Sequence, residues 1–135
     1  MSDDAEVTRS VEVEAGADRV WELLADPEQR GAWLDDDEAL AREMRVDEVR
    51  MGRSLTWTWW HPDDPADVSQ VHVVLTELPA GGTRVAVTER LVATPMVQAS
   101  AATATAAARV GFPTVWDRRL LGLELLLVAA GALVA

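Results

Sequence analysis

The side chains able to move a proton, hold a metal or grip a polar ligand are few in this sequence, and their spacing limits what they can do. In the run EVTRSVEV, strand parity places Arg9 with Val7, Val11 and Val13 on one face. In VSQVHVVLTEL the same parity groups Ser69, Val71, Val73 and Leu75, and in TRVAVTERL it groups Val85, Val87 and Glu89. Arg9 and Glu89 are thus charged groups on otherwise apolar faces, where an unpaired charge is costly. Two arrangements satisfy them: a shared polar ligand group with Ser69 beside it, or an ion pair near the rim with the charged heads in water. A buried Glu89 would also suit general acid or base work, because burial disfavours the ionised form. His61 and His72 are the remaining neutral-pH titrators. HPDD sets carboxylates next to His61, yet the two histidines lack a third ligand at helical spacing, so no metal site is expected and solvent exposure is the simpler reading.

Tryptophan is the other strong signal. Trp57 and Trp59 share the inward parity of SLTWTWW, Trp116 faces them from a later helix, Trp33 is placed at the mouth, and Trp21 reads as helix-to-sheet packing. Each ring buries roughly 150–250 Å² and wants an acceptor for its indole N–H. The rings either line a pocket or simply fill the core at ordinary packing density.

The elements that must position these groups follow from patterning. An alternating strand leads through Gly16 into a short helix carrying Val20, Trp21, Leu23 and Leu24, with Asp18 near its N-cap; Asp26-Pro27 breaks it and starts a second short helix ending near Trp33. The acidic run at residues 35–38 reads as a solvated loop. From Met44 the chain reads as an antiparallel meander: EMRVDEVR, a turn at Gly52, SLTWTWW, a Pro-punctuated loop HPDDPAD, VSQVHVVLTEL, a Gly81-Gly82 hairpin and TRVAVTERL. Residues 93–111 are small and Ala-rich and read as a mobile connector. After Pro113, the residues Trp116, Leu120, Leu123 and Leu127 recur at helical spacing, with Leu121, Leu125 and Val128 widening the stripe against the concave sheet.

Composition excludes whole classes of function. The 135 residues suffice for a single domain, 1–135, with one core. A formal charge of −11 at pH 7 repels phosphate backbones and anionic lipid, so neither nucleic acid nor membrane is an expected partner. All 12 basic residues are arginine, and Cys and Tyr are absent, so lysine Schiff bases, thiolate nucleophiles and phenolic acids are ruled out. LLGLELLLVAAGALVA is interrupted by Glu124 and is too short to span a bilayer. MSDDAEVTRS lacks the basic-then-apolar pattern of a signal peptide, and the cytoplasm is the expected compartment. No GxSxG, P-loop or dinucleotide fingerprint occurs, and no cofactor is expected.

Strand, two short helices, meander and long last helix occur in the order of the START-like, or SRPBCC, superfamily. The pieces VEVEAGADRVWELLADPEQRGAWL, LTWTWW with VSQVHVVLTELPAGGTRVAVTERL, and WDRRLLGLELLL resemble the small bacterial proteins named after the activator of Hsp90 ATPase, often labelled polyketide cyclase-like. The resemblance implies an α+β helix-grip fold: a curved antiparallel sheet of about six strands, two short helices and one long C-terminal helix closing over the concave face. It also implies a pocket between sheet and helix that receives apolar molecules. Joined to the residues above, it predicts a non-catalytic site for a small apolar or aromatic molecule lined by Trp33, Trp57, Trp59, Val71, Val87, Trp116 and Leu120 and oriented by Arg9, Ser69 or Glu89. Two other readings stand beside it. One is a cyclase or dehydratase using Glu89 as acid or base. The other is partnership with an Hsp90-type chaperone or regulator through the exposed sheet near Trp60 and Val74. A homodimer is compatible with the sequence.

Overall fold

The computed structural model describes residues 6–92 and 113–134. Alternation makes the strands. β1 (Glu6–Val13) turns Val7 and Val13 inward, and β5 (Thr83–Leu91) does the same with Thr83, Val85, Val87 and Glu89. Between them come α1 (Ala17–Ala25), α2 (Pro27–Trp33), α3 (Asp37–Leu40), β2 (Glu43–Arg50), β3 (Ser54–His61) and β4 (Asp64–Glu77), and α4 (Pro113–Val134) follows β5. The strands form one antiparallel sheet in the order β1-β5-β4-β3-β2. Five strands are present among the described residues where about six were expected. The HPDDPAD segment is less of a loop than its prolines suggest: β3 runs to His61 and β4 starts at Asp64, making one strand of 14 residues.

The helical end of the sheet is built from local capping. α1 follows Gly16 without a side-chain cap and buries Val20, Leu23 and Leu24; Asp18 lies in its first turn, not at its cap. Asp26 then accepts from the Glu28 N–H at 2.9 Å, with Pro27 opening α2. The acidic run read as a loop contains α3, because Asp36 caps it by accepting from the Ala39 N–H at 3.2 Å. Gly81 closes the β4–β5 hairpin at φ +99°, and Gly82 lies so near β1 that a Cβ there would stand 2.4 Å from the Val13 carbonyl oxygen.

α4 lies against β1 and α2 and sends Trp116, Leu120, Leu123 and Leu127 into the core. Gly122 faces α2, where an added Cβ would meet the Trp33 Cβ at 3.9 Å. The expected widening of this stripe does not occur: Leu121, Leu125 and Val128 are 52%, 58% and 63% exposed. A helix turns about 100° per residue, so a sheet that receives one stripe leaves the next positions to solvent. The connector expected at residues 93–111 lies outside the described residues.

Candidate functional site

Cross-strand register brings the inward polar groups together. Trp59 pairs with Ser69 and Trp57 with Val71 between β3 and β4, while Val71 pairs with Glu89 and Val73 with Val87 between β4 and β5. Glu89 is 2% exposed, and both its oxygens accept hydrogen bonds. Trp116 Nε1 donates to Oε1 at 2.8 Å, Trp59 Nε1 donates to Oε2 at 2.9 Å, and the Ser69 hydroxyl donates to the same Oε2 at 2.5 Å. Trp59 Nε1 also reaches Ser69 Oγ at 2.9 Å. An indole N–H can only donate. The carboxylate is therefore the acceptor that satisfies two tryptophans contributed by a strand and a helix.

Around it the rings interlock. Trp57 meets Trp59 edge to face with centroids 5.7 Å apart, and Trp59 stacks on Trp116 at 6.2 Å. Three arginines cover the cluster. The Arg119 guanidinium stands 4.7 Å from the Trp116 ring centre and 5.2 Å from that of Trp59; Arg42 stands 5.4 Å from Trp59 and Arg30 6.0 Å from Trp57. Arg119 is fixed by Asp36, Nε to Oδ1 at 2.8 Å and Nη2 to Oδ2 at 2.9 Å, with Glu38 accepting from Nη2 at 3.2 Å. Arg42 is fixed by the Asp67 carboxylate at 3.0 and 3.1 Å and the Asp67 carbonyl at 2.8 Å. Arg30 donates to the Leu24 carbonyl at 2.9 Å.

Electrostatics follow this geometry. Burial pushes the Asp36 carboxyl up, but the hydrogen bonds and charge of Arg119, helped by the Ala39 N–H, more than reverse that and hold it below the usual carboxylate range. Burial lowers the Arg30 guanidinium, opposed by the charge of Asp26. Three buried donors find no acceptor among the described residues: Trp57 Nε1, Arg119 Nη1 and Arg42 Nε.

The remaining residues singled out in the sequence are divided between the buried cluster, the rim and the outer face. Val71, Val87 and Leu120 are buried in it. Trp33 is buried rather than open at a mouth, its indole donating to the Leu23 carbonyl at 2.8 Å. Arg9 does not meet Glu89. Its Nε lies 3.5 Å from the Asp117 carboxylate, and both side chains are substantially exposed at the β1–α4 rim. His61 Nδ1 accepts from the Asp63 N–H at 3.1 Å, and His72 Nδ1 lies 2.6 Å from the Thr56 hydroxyl on the outer face. No group of metal-ligating side chains occurs among the described residues. Nor, among those residues, is any helix long and apolar enough to cross a membrane.

Sequence reasoning passed over Arg119, Arg42, Arg30 and Asp36. Arg119 was detectable, lying three residues after Trp116 and four before Leu123 on the core side of α4, and Arg30 stands three before Trp33. Arg42 sits in a segment with no periodicity to mark it. A depression of about 370 Å³ opens beside the cluster between α2, α3 and α4, lined by Trp33, Asp36, Glu38, Arg118, Arg119 and Gly122 among others.

The family model for "Activator of Hsp90 ATPase homolog 1-like protein" matches residues 34–124. The fold is similar to that of MLL2253 from Mesorhizobium loti, with TM-score 0.71 and 20% identity, covering 92% of this chain and 97% of the other. DynU16, from the dynemicin biosynthetic locus, gives TM-score 0.66 and 20% identity over 93% of this chain, which spans 48% of that protein. PFC0360w, an HSP90 activator from Plasmodium falciparum, gives TM-score 0.64 and 12% identity over 91% of this chain and 96% of the other. No curated protein matches the sequence at a significant level.

Proposed function

The chain belongs to the Activator of Hsp90 ATPase homolog 1-like family, and we propose that it serves there as a non-catalytic receptor for a small apolar or aromatic molecule that carries a hydrogen-bond acceptor. The ligand enters at the depression beside Arg119 and parts the packed rings of Trp57, Trp59 and Trp116, each at most 1% exposed, so that its acceptor takes the Trp57 donor. The observation that carries this reading is the pair of buried, partnerless donors, Trp57 Nε1 and Arg119 Nη1, within one aromatic cluster. Each such group costs about 1–3 kcal/mol when left dry, a cost a ligand acceptor would remove on binding. The depression of about 370 Å³ reaches Arg119 from outside and has a volume suited to a small ring system. Binding is favoured over catalysis because both Glu89 oxygens are held as acceptors by Trp59, Trp116 and Ser69, so this carboxylate has an anchoring role already.

Titration of the purified protein with naphthalene carboxylates and acyl acids, followed by tryptophan emission, tests the reading. Saturable quenching at 1:1 stoichiometry is expected, weakened at least tenfold in Trp57→Phe. A full panel without any saturable quencher, together with native mass spectra free of a copurifying molecule, contradicts it.

The family description and the likeness to an HSP90 activator favour a second reading, in which the chain contacts an Hsp90-type chaperone. Stimulation of a purified Hsp90 ATPase by this protein supports that reading, and an unchanged rate removes it.

A further inference from the structure

Away from the indole cluster, a groove of about 530 Å³ runs between the end of β1 and the outer flank of α4. Its apolar surface comes from Val13, Ala15, Leu127 and Val128, and its rim carries Glu12, Glu14 and Glu124. A second depression of about 550 Å³ shares Glu12, Val13 and Glu14 and continues toward Leu78 and Gly82. On the helix side the groove joins the exposed stripe Leu121, Leu125 and Val128. These three stand at i, i+4 and i+7, a spacing that lines up one apolar ridge about 10 Å long. The core leaves that ridge uncovered, because α4 already spends Trp116, Leu120, Leu123 and Leu127 on the sheet.

We propose that this groove docks a basic, amphipathic helical segment of another protein, with the apolar face of that segment on Val13, Leu125 and Val128 and its cations on Glu14 and Glu124. Charge selects this occupant. Glu12 is partly neutralised by Arg84 at 2.6 Å, whereas Glu14 and Glu124 form no ion pair among the described residues. A second copy of the chain, with a formal charge of −11, brings further carboxylates to the same rim, and an anionic lipid surface brings phosphates. A cationic helix brings complementary charge and an apolar stripe of matching period.

The test uses the full chain and a fluorescein-labelled 18-residue Leu/Lys peptide of helical amphipathic period. Its controls are a peptide of identical composition with the period scrambled and a Leu/Glu analogue. Saturable 1:1 binding by anisotropy is expected. It should weaken at least tenfold for the scrambled peptide, for the double variant Glu14→Gln/Glu124→Gln and for Leu125→Ser/Val128→Ser. Glu6→Gln/Glu48→Gln, on the outer face of the sheet, should leave it unchanged. The proposal is overturned by failure of the amphipathic peptide to bind, by equal binding of the scrambled peptide, or by equal weakening in the outer-face variant. Sedimentation showing a dimer that Leu125→Ser/Val128→Ser dissociates would assign the groove to a second copy instead.

Discussion

Glu89 and Asp36 both anchor the indole cluster, Glu89 by accepting from its N–H groups and Asp36 through Arg119, and they differ in how they respond to substitution. In Glu89→Leu the Trp116 N–H loses its acceptor while Trp59 keeps Ser69, so urea unfolding should show a loss of about 2 kcal/mol. Glu89→Gln retains an oxygen for Trp116 and can donate to Ser69 Oγ, so its loss should be less than half as large. Asp36 makes a pH-dependent contribution. Its folded carboxyl titrates below the ordinary range, so the unfolded chain binds that proton more readily. The stabilisation is complete above the ordinary Asp pKa and is lost as pH falls through the depressed folded value. Asp36→Asn strands the buried Arg119 charge on Glu38 alone and should cost about 3 kcal/mol near neutral pH. The gap between wild type and variant should narrow below about pH 4, as followed by denaturation at stepped pH.

At the level of elements, two glycines give opposite expectations. Gly82→Ala drives a Cβ into the Val13 carbonyl and should destabilise the β4–β5 hairpin by about 1–3 kcal/mol. Gly122→Ala meets Trp33 at ordinary contact distance and should raise stability by up to about 1 kcal/mol, through helix propensity. Both are read from thermal or urea midpoints. The same elements mark how far sequence reasoning reaches. Strand parity placed Trp57, Trp59, Ser69 and Glu89 on one face because a period of two leaves a single inward set once the apolar residues are fixed. The helical stripe of α4 gave Trp116, Leu120, Leu123 and Leu127 for the same reason. Parity does not report strand order along the helix side, so the partner of Arg9 was missed: Asp117 on α4 comes within reach only once the helix is docked on β1. It does not report local capping either, so α3 and the Asp36 grip on Arg119 were hidden inside what read as a charged loop.

Across the molecule, the described residues form a curved sheet closed on one side by α4, with an aromatic interior organised around the Glu89 carboxylate and overlain by Arg30, Arg42 and Arg119. The fold was legible because order and spacing of elements constrain topology; Arg119 and Arg30 are legible from their helical spacing to Trp116 and Trp33, whereas Arg42 is marked only by Asp67, distant in sequence. The ligand-receptor account turns on the donors that the interior leaves unanswered. The most direct test is a ¹⁵N–¹H spectrum of the six tryptophan indoles during titration with a naphthalene carboxylate, with the Trp57 resonance identified by Trp57→Phe. The account requires the Trp57 indole proton to move downfield saturably as it gains an acceptor, with Trp21 and Trp60 essentially still. A saturated complex in which Trp57 does not move, or a titration in which no indole responds, contradicts it.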